Sequence, residues 1–464
     1  MIVKSKTTNK VYLVIGLGRS GYWVSKFLSS QGKKIIVIES NSDNEICKLK
    51  KKLEKIGVKV LLNTPFDYEY LKPWIKDTEY VVLSPGIDLN DKTVLKIKEK
   101  GVKVIGEVNI GWNNLKEIFW VGITGTNGKT TVTHLLSHIL NSNGLFAPAA
   151  GNIGIPFCKY AYDYQKKKRI DWIVAELSSY QIEIAKDLRP KIGIWTTFTP
   201  DHLDRHKTVE NYFEIKNKMI KNSDIRIYNY DDEYLKASYQ KLSEGIWITS
   251  DHKKVERNIC SYWIDDEDFV VEKGTRLFNS KLFKLNGTHN KQNLLLVIAA
   301  VREIGLSIDK IKNALNSYIQ LPHRLETIHE DPTLEIINDS KATNFDSSLA
   351  GIKAINNNMV LISGGRIKEG EYKLWADIVK NKCHAIFLYG ESAKTLEMYL
   401  KEQGFKKNIF IFNTISEIVN KIFIYTKKER IKTILFSPAC SSFDQFKNYE
   451  ERGNFFKSAI LNKI

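Results

Sequence analysis

The stretch Trp120-Val121-Gly122-Ile123-Thr124-Gly125-Thr126-Asn127-Gly128-Lys129-Thr130-Thr131 decides the fold. An apolar run at 118–121 breaks into small, glycine-bearing residues ending in Gly-Lys-Thr, and residues 132–140 then read at helical period. Strand, loop and helix in that order make a phosphate cradle. Backbone N–H groups and the positive helix end face the phosphates, the lysine neutralises the outer ones, and the next hydroxyl holds Mg²⁺. Lys129 is thereby assigned to the β/γ-phosphates and Thr130 to the metal, with Gly125, Thr126, Asn127, Gly128 and Thr131 completing the loop. The common pattern has glycine where Ile123 stands; here the loop carries Gly122 and Gly125 instead. A bare Gly-Lys-Thr is a surface turn, and the flanking strand and helix are what favour the cradle.

Toward the N-terminus, residues 10–15 read as a buried strand, followed by Gly16-Leu17-Gly18-Arg19-Ser20-Gly21, a helical run at 22–30 and a second strand at 34–38 ending in Glu39. This is a G-x-G-x-x-G fingerprint with an acid about 20 residues on. Its naive reading is a dinucleotide-binding dehydrogenase, but its physics suits any nucleotide diphosphate: glycines admit the backbone to the phosphates and the acid can hold a ribose hydroxyl. A further strand at 80–83 ends in Ser84-Pro85-Gly86-Ile87. Two or three strand–helix alternations thus precede the cradle.

Beyond the cradle come a tight turn, Gly151-Asn152-Ile153-Gly154, a strand at 172–175 running into Glu176-Leu177-Ser178-Ser179, and a strand at 192–197 running into Thr199-Pro200-Asp201-His202-Leu203-Asp204. In a parallel sheet these polar ends lie beside the cradle. Glu176 suits Mg²⁺, which takes oxygen ligands; His202 is read as a ligand or a base. A helix around 212–220 carries Lys216. Segment 225–283 is irregular, with strand-like pieces at 246–248 and 268–271. Asn290 and Asn293 open a helix at 291–304, Asn290 as its N-cap or as a contact to a nucleobase. A helix at 308–319 closes the unit.

Leu321-Pro322-His323-Arg324 reads as a linker, after which strands at 335–337, 360–362, 385–388, 409–412 and 433–436 alternate with helices. Their ends carry Asn338-Asp339-Ser340-Lys341-Ala342-Thr343-Asn344, then Gly364-Gly365-Arg366-Ile367-Lys368, then Ser437-Pro438-Ala439-Cys440-Ser441-Ser442-Phe443-Asp444. The expected architecture is α/β in three domains: 1–107, Rossmann-like; 108–320, a P-loop-type ATPase; and 321–464, again Rossmann-like.

Size and composition agree. A chain of 464 residues is too long for one core. No apolar run is long enough to span a bilayer, and the polar start of the chain does not read as a signal peptide, so a cytoplasmic protein away from membranes is expected. The five cysteines form no C-x-x-C pair, the usage of a reducing compartment. A net charge of +17 raises nucleic-acid binding, but the lysines are dispersed and no basic block is interleaved with aromatics. An anionic substrate fits the charge at least as well.

In combination these motifs resemble the ATP-dependent Mur ligases over all three units, and the segments at 338–344 and 437–453 resemble those of the glutamate-adding branch. The resemblance implies that UDP-N-acetylmuramoyl-L-alanine and D-glutamate are joined using ATP and two Mg²⁺ in cytoplasmic peptidoglycan precursor synthesis. It implies that the N-terminal glycine loop holds UDP rather than NAD, with Gly18, Arg19, Ser20, Glu39, Ser40 and Ser84 near the uridine and diphosphate. Asn152, Ser178 and His202 come nearer the muramoyl end. Glu176, Thr130 and His202 would serve the metals, together with Lys216 carried as a carbamate. Asn290, Asn293, Arg324 and Asp339 would hold ATP, and Lys341, Thr343, Lys368, Ser442 and Phe443 would receive D-glutamate. Catalysis is expected from Lys129, His202 and Lys216. Ile367 departs from the family's glycine-glycine-lysine loop, which usually has a small or acidic residue there. A monomer is expected. Competing readings are another ligase of this family or folylpolyglutamate synthase, an NAD-dependent dehydrogenase and a nucleic-acid-dependent ATPase.

Overall fold

The computed structural model describes residues 10–285, 287–319, 321–355, 358–367 and 371–464. They build three sheets, each seated on helices. In the first, β1 (Val11–Ile15), β2 (Lys34–Ile38), β3 (Lys59–Leu61), β4 (Thr78–Leu83) and β5 (Lys103–Gly106) lie in the order β3-β2-β1-β4-β5, all parallel. Five strands therefore precede the cradle. The two beyond the sequence reading, β3 and β5, are edge strands of three and four residues, too short to show a period. The strand order reverses at β1, so the glycine loop after β1 and residues 84–87 after β4 flank a crevice of the kind where open α/β sheets bind ligands.

The central sheet has nine strands: β6 (Phe119–Thr124), β7 (Ala149–Gly151), β8 (Trp172–Glu176), β9 (Ile192–Trp195), β10 (Ile225–Asn229), β11 (Ile246–Thr249), β12 (Cys260–Ile264), β13 (Phe269–Glu272) and β14 (Thr275–Asn279). Their order is β14-β13-β12-β11-β10-β9-β6-β8-β7. The pairs from β7 to β12 are parallel and the last two are antiparallel, so the irregular segment 225–283 extends this sheet. Parallel pairing puts the carboxyl ends of β8, β6 and β9 side by side. That places Glu176, the phosphate loop and residues 196–202 together, as the sequence predicts.

The third sheet comprises β15 (Glu326–Glu330), β16 (Glu335–Asn338), β17 (Met359–Gly364), β18 (Cys383–Tyr389), β19 (Asn408–Phe412) and β20 (Thr433–Ala439), in the order β15-β16-β20-β17-β18-β19 with only β15 antiparallel. β20 enters between β16 and β17, which brings the polar ends at 338–344 and 437–444 into contact.

Apolar patterning accounts for the packing. The helix Thr288–Glu303 buries every residue from Leu294 to Val301 against the central sheet. Another apolar cluster runs from Val14, Val24 and Phe27 of the first unit to Trp120, Phe157 and Ala175 of the second, with the Trp120 and Phe157 rings stacked at 4.9 Å. Among the described residues no helix is long and apolar enough to cross a membrane.

Candidate active site

A cavity of about 700 Å³ opens at the carboxyl ends of the central strands, lined by residues of the second and third units and by Pro85 of the first. Its floor is the phosphate loop. Gly125 has φ +145°, and a side-chain carbon there would lie 2.0 Å from Thr196 Oγ1; Gly128 has φ +83° and would meet Asn293 Oδ1 at 2.6 Å. Both positions therefore need glycine. The loop is pinned to the end of β9: Thr126 N–H donates to Thr197 O at 2.8 Å, Thr126 Oγ1 to Thr199 O at 2.9 Å, and Asn127 N–H to Thr197 Oγ1 at 2.9 Å. The helix Lys129–Ser142 follows and points its N-terminus into the cavity.

Two lysines converge on this loop. Lys129 Nζ donates to Gly125 O and Thr126 O, each at 2.8 Å, and Lys216 Nζ donates to Gly125 O at 3.0 Å. Lys216 is 2 % exposed. Burial, then the charge of Lys129, hold its amine well below the usual lysine range, against a smaller opposing effect of Asp201. Its Nζ also lies 4.6 Å from the centre of the Tyr212 ring, whose hydroxyl is 3.4 Å from Thr126 Oγ1.

Glu176 is buried at the end of β8. Its Oε1 accepts from Asn152 Nδ2 at 2.8 Å, while Oε2 is buried without a hydrogen-bond partner among the described residues. An unpartnered buried carboxylate oxygen is costly unless something charged meets it. A hard cation beside the Thr130 hydroxyl suits it. No cluster of three or more His, Cys, Asp or Glu side chains occurs among the described residues. This donor set matches Mg²⁺, which keeps waters and substrate phosphate oxygens around one or two carboxylates. Residues and ion fit.

His202 follows β9 with φ +57°, held by its own N–H to Asp201 Oδ1 at 2.8 Å. Its Nδ1 is 3.0 Å from Tyr180 Oη and its Nε2 3.6 Å from Asp201 Oδ2. Ser178 caps the helix Ser179–Ile184 in a box with Gln181, so its hydroxyl has a structural task as well as a place on the cavity wall.

The third unit supplies the opposite wall. Asp339 accepts from Ser437 Oγ at 2.8 Å and Leu325 N–H at 3.3 Å, and burial pushes its carboxyl up to about 7. Lys341 Nζ sits 3.8 Å over the Tyr449 ring; loss of water, then the Arg324 charge, lower it to about 7. Arg452 is fully buried and donates to Ser340 Oγ, Ser340 O and Cys440 O at 3.0, 2.7 and 3.0 Å, which locks the two polar strand ends together.

Of the residues read from the sequence, the cavity gathers Gly125 to Thr131, Asn152, Glu176, Ser178, His202, Lys216, Asn290, Asn293, Arg324, Asp339, Lys341, Thr343 and Phe443. Asn290 is not the N-cap; the helix starts at Thr288 after Gly287, and Asn290 lies inside its first turn, facing Asn293. Ser442 is 2 % exposed and does not line the cavity. Lys368 lies outside the described residues. The first unit's group sits apart. Gly18 and Arg19 are exposed at the start of the helix Arg19–Ser30, and a side-chain carbon on Gly154 would come within 2.8 Å of Arg19 Nη1, so this loop faces the 151–154 turn. Ser84 Oγ donates to Ile15 O at 2.8 Å. Glu39 spends its carboxylate on the loop itself, accepting from Leu17 N–H at 2.6 Å and Asn41 N–H at 2.8 Å; Ser40 Oγ donates to it as well, at 3.3 Å.

Several cavity residues were not singled out in the sequence. Asp232, pushed up to about 6 by burial, accepts from Phe198 N–H at 2.7 Å and fixes the end of β9. Its place just past β10 could have shown it. Asp346 and Ser347 reach the cavity because Asn344 caps the helix Phe345–Ala354 and aims its first turn there.

Fold and site together define a three-unit α/β protein built on a phosphate loop, with a nucleotide-type unit on either side. Two family models match: the Mur ligase MurD-like N-terminal domain over residues 10–106 and the Mur ligase middle domain over residues 123–301. The chain belongs to the Mur ligase family. It is 59 % identical over 461 residues to a UDP-N-acetylmuramoylalanine–D-glutamate ligase of Prochlorococcus marinus strain MIT 9515, covering 99 % of this chain and 96 % of that protein. It is 56 % identical to the protein of that name in strain MIT 9312, covering 98 % and 97 %. Among solved structures, the UDP-N-acetylmuramate–alanine ligase of Thermotoga maritima superposes with a TM-score of 0.63 at 17 % identity, over 98 % of this chain and all of that one. The MurF ligase of the same organism, solved with ADP, gives 0.60 at 15 % identity, over 99 % and 100 %.

Proposed function

We propose that this protein is an ATP-dependent amide ligase that adds D-glutamate to UDP-N-acetylmuramoyl-L-alanine in peptidoglycan precursor synthesis. The observation that carries this reading is the full-length 59 % identity to a ligase of that name, with a phosphate loop, an unpartnered carboxylate oxygen and two amines meeting in one cavity. We place the divisions between units at 107/108 and 320/321, and take the protein to act in the cytoplasm as a monomer.

A carboxylate does not form an amide at neutral pH without activation, because oxide is no leaving group. In the proposed reaction the substrate's terminal carboxylate takes the γ-phosphoryl group of ATP, giving an acyl phosphate and ADP. The amine of D-glutamate attacks that carbonyl, loses a proton, and inorganic phosphate departs. Lys129 turns from its own loop carbonyls to the β/γ-phosphates, and the 125–130 backbone with the helix N-terminus holds the oxygens in line. Thr130, Glu176 and a carbamate on Lys216, with His202 as a further ligand or as the base, would hold Mg²⁺, which would supply charge stabilisation for phosphoryl transfer. Asn290, Asn293, Arg324 and Asp339 orient the nucleotide. Lys341, with Thr343 and Phe443, receives the incoming amino acid, the lysine as a charged partner for carboxylate. The first unit's loops at 18–20 and 84 would hold the UDP.

The test is phosphate release from ATP with UDP-N-acetylmuramoyl-L-alanine, comparing D-glutamate, L-glutamate, D-alanine and meso-diaminopimelate. Release confined to D-glutamate is expected. Release with another acceptor moves the specificity within the family, and release with none overturns the ligase reading.

A further inference from the structure

Arg205 stands where the first and central units meet. It lies in the one-turn helix Leu203–His206, and its N–H donates to His202 O at 3.1 Å. Its side chain is 8 % exposed. Nη1 donates to Ile87 O at 3.1 Å and to Pro85 O at 3.4 Å; Nη2 donates to Glu183 Oε2 at 2.8 Å. The guanidinium carbon lies 4.3 Å from the centre of the Tyr180 ring, and the hydroxyl of that same tyrosine is 3.0 Å from His202 Nδ1. One side chain thus links the backbone of the loop after β4, in the first unit, to the tyrosine that orients His202 in the second.

We infer that Arg205 is a positioning residue that couples the substrate loop 84–87 to the placement of His202. The inference rests on the ligase reading for what Ser84 and His202 handle. The residue type suits the task. A planar guanidinium can meet two backbone carbonyls and a carboxylate at once while stacking on a ring, and an ammonium cannot. Glu183 keeps its charge paired. Pro85 and Ile87 are held by their backbone carbonyls, and Ser84 by its hydroxyl and N–H on Ile15 O, so the loop is fixed from both sides. The contact of Tyr180 Oη with Nδ1 fixes which face His202 presents. Substrate that settles against the loop therefore sets the distance between the first unit and His202 before phosphoryl transfer.

The experiment compares wild type, R205K and R205M by steady-state kinetics, thermal melting and hydrogen exchange without ligand. In R205M, kcat is expected to fall about tenfold and KM for UDP-N-acetylmuramoyl-L-alanine to rise about tenfold, with KM for ATP within about twofold, because a misplacement of about 1 Å is felt as a rate. R205K, which keeps the charge but not the fork, falls between them and also covers failure of R205M to fold. Exchange in residues 84–89 rises several-fold while that of β20 does not change. A lower melting temperature with kcat, both KM values and loop exchange at wild-type levels overturns the inference. Failure of the ligase reading is distinct: wild type itself then releases no phosphate, and loop exchange in R205M still decides whether Arg205 couples the units.

Discussion

The hydroxyl of Ser347 donates to Asn127 Oδ1 across 2.7 Å, joining the first turn of a third-unit helix to the phosphate loop of the central unit. The two units therefore meet at the place where phosphate would bind. On the proposed reaction, contact between them there would shield an acyl phosphate from water.

Ser347→Ala removes one partly buried hydrogen bond between the second and third units, of about 1 kcal/mol, or about fivefold in an equilibrium constant. The expected result is a rise of about fivefold in KM for ATP. ATP titration of both proteins checks this, and equal KM values would show that the bond does not help to hold the nucleotide site together.

Lys129→Ala is expected to cut phosphate release by at least about a thousandfold, the scale for losing a principal electrostatic group in phosphoryl transfer. Circular dichroism should match wild type, because the loop is also pinned by Thr126 and Asn127 to residues 197 and 199. Turnover near the wild-type rate would remove Lys129 from the mechanism.

Much of this arrangement was legible from periodicity and strand ends. β1, β2, β6, β8 and β17 to β20 are apolar runs ending in polar or glycine-rich loops, and a parallel sheet must bring such ends together. What escaped had weak local signals. The strands β10 to β14 are only four or five residues long, and the last two pairings turn antiparallel at an edge where β14 exposes Thr275 and Arg276. Glu39 looked like a ribose acid, yet its carboxylate is bonded to Leu17 and Asn41 N–H groups; the sequence shows the acid but not its nearest donor. Arg205 and Ser347 touch partners 118 and 220 residues away. No window of sequence contains both ends of such a contact.

Glu107 bears on stability alone. It is 4 % exposed, accepts from Cys158 N–H at 2.6 Å where the first and second units join, and is pushed up from 4.5 to about 7 by burial. The folded state therefore holds a proton that the unfolded chain has lost between those values. Stability from this group is complete below pH 4.5 and declines as pH rises to about 7, by on the order of 3 kcal/mol. Glu107→Gln keeps the acceptor and removes the titration. Urea midpoints should show the variant gaining on wild type as pH rises through that window, and parallel curves would exclude the burial effect.

Lys216 offers the sharpest test of the metal site. Burial and Lys129 lower its pKa, so the fraction of free amine at neutral pH is far above that of an ordinary lysine, and it increases as pH rises. A free amine adds to CO₂, forming an N-carboxylate and releasing one proton, so rising pH favours that step too. The product would exchange a buried neutral amine for an anion beside Lys129, offsetting the lysine charge and offering an oxygen ligand for Mg²⁺. Wild type stripped of CO₂ should therefore lose phosphate release, most severely on the acid side, and regain it with bicarbonate. Lys216→Ala should lose about ten- to a hundredfold, the scale of removing a metal-orienting group, and added acetate or formate should restore part of the rate by placing a carboxylate in the vacated space. Absence of rescue, with Mg²⁺-dependent ATP binding intact, would rule out the carbamate and leave Lys216 as a neutral donor to Gly125 O.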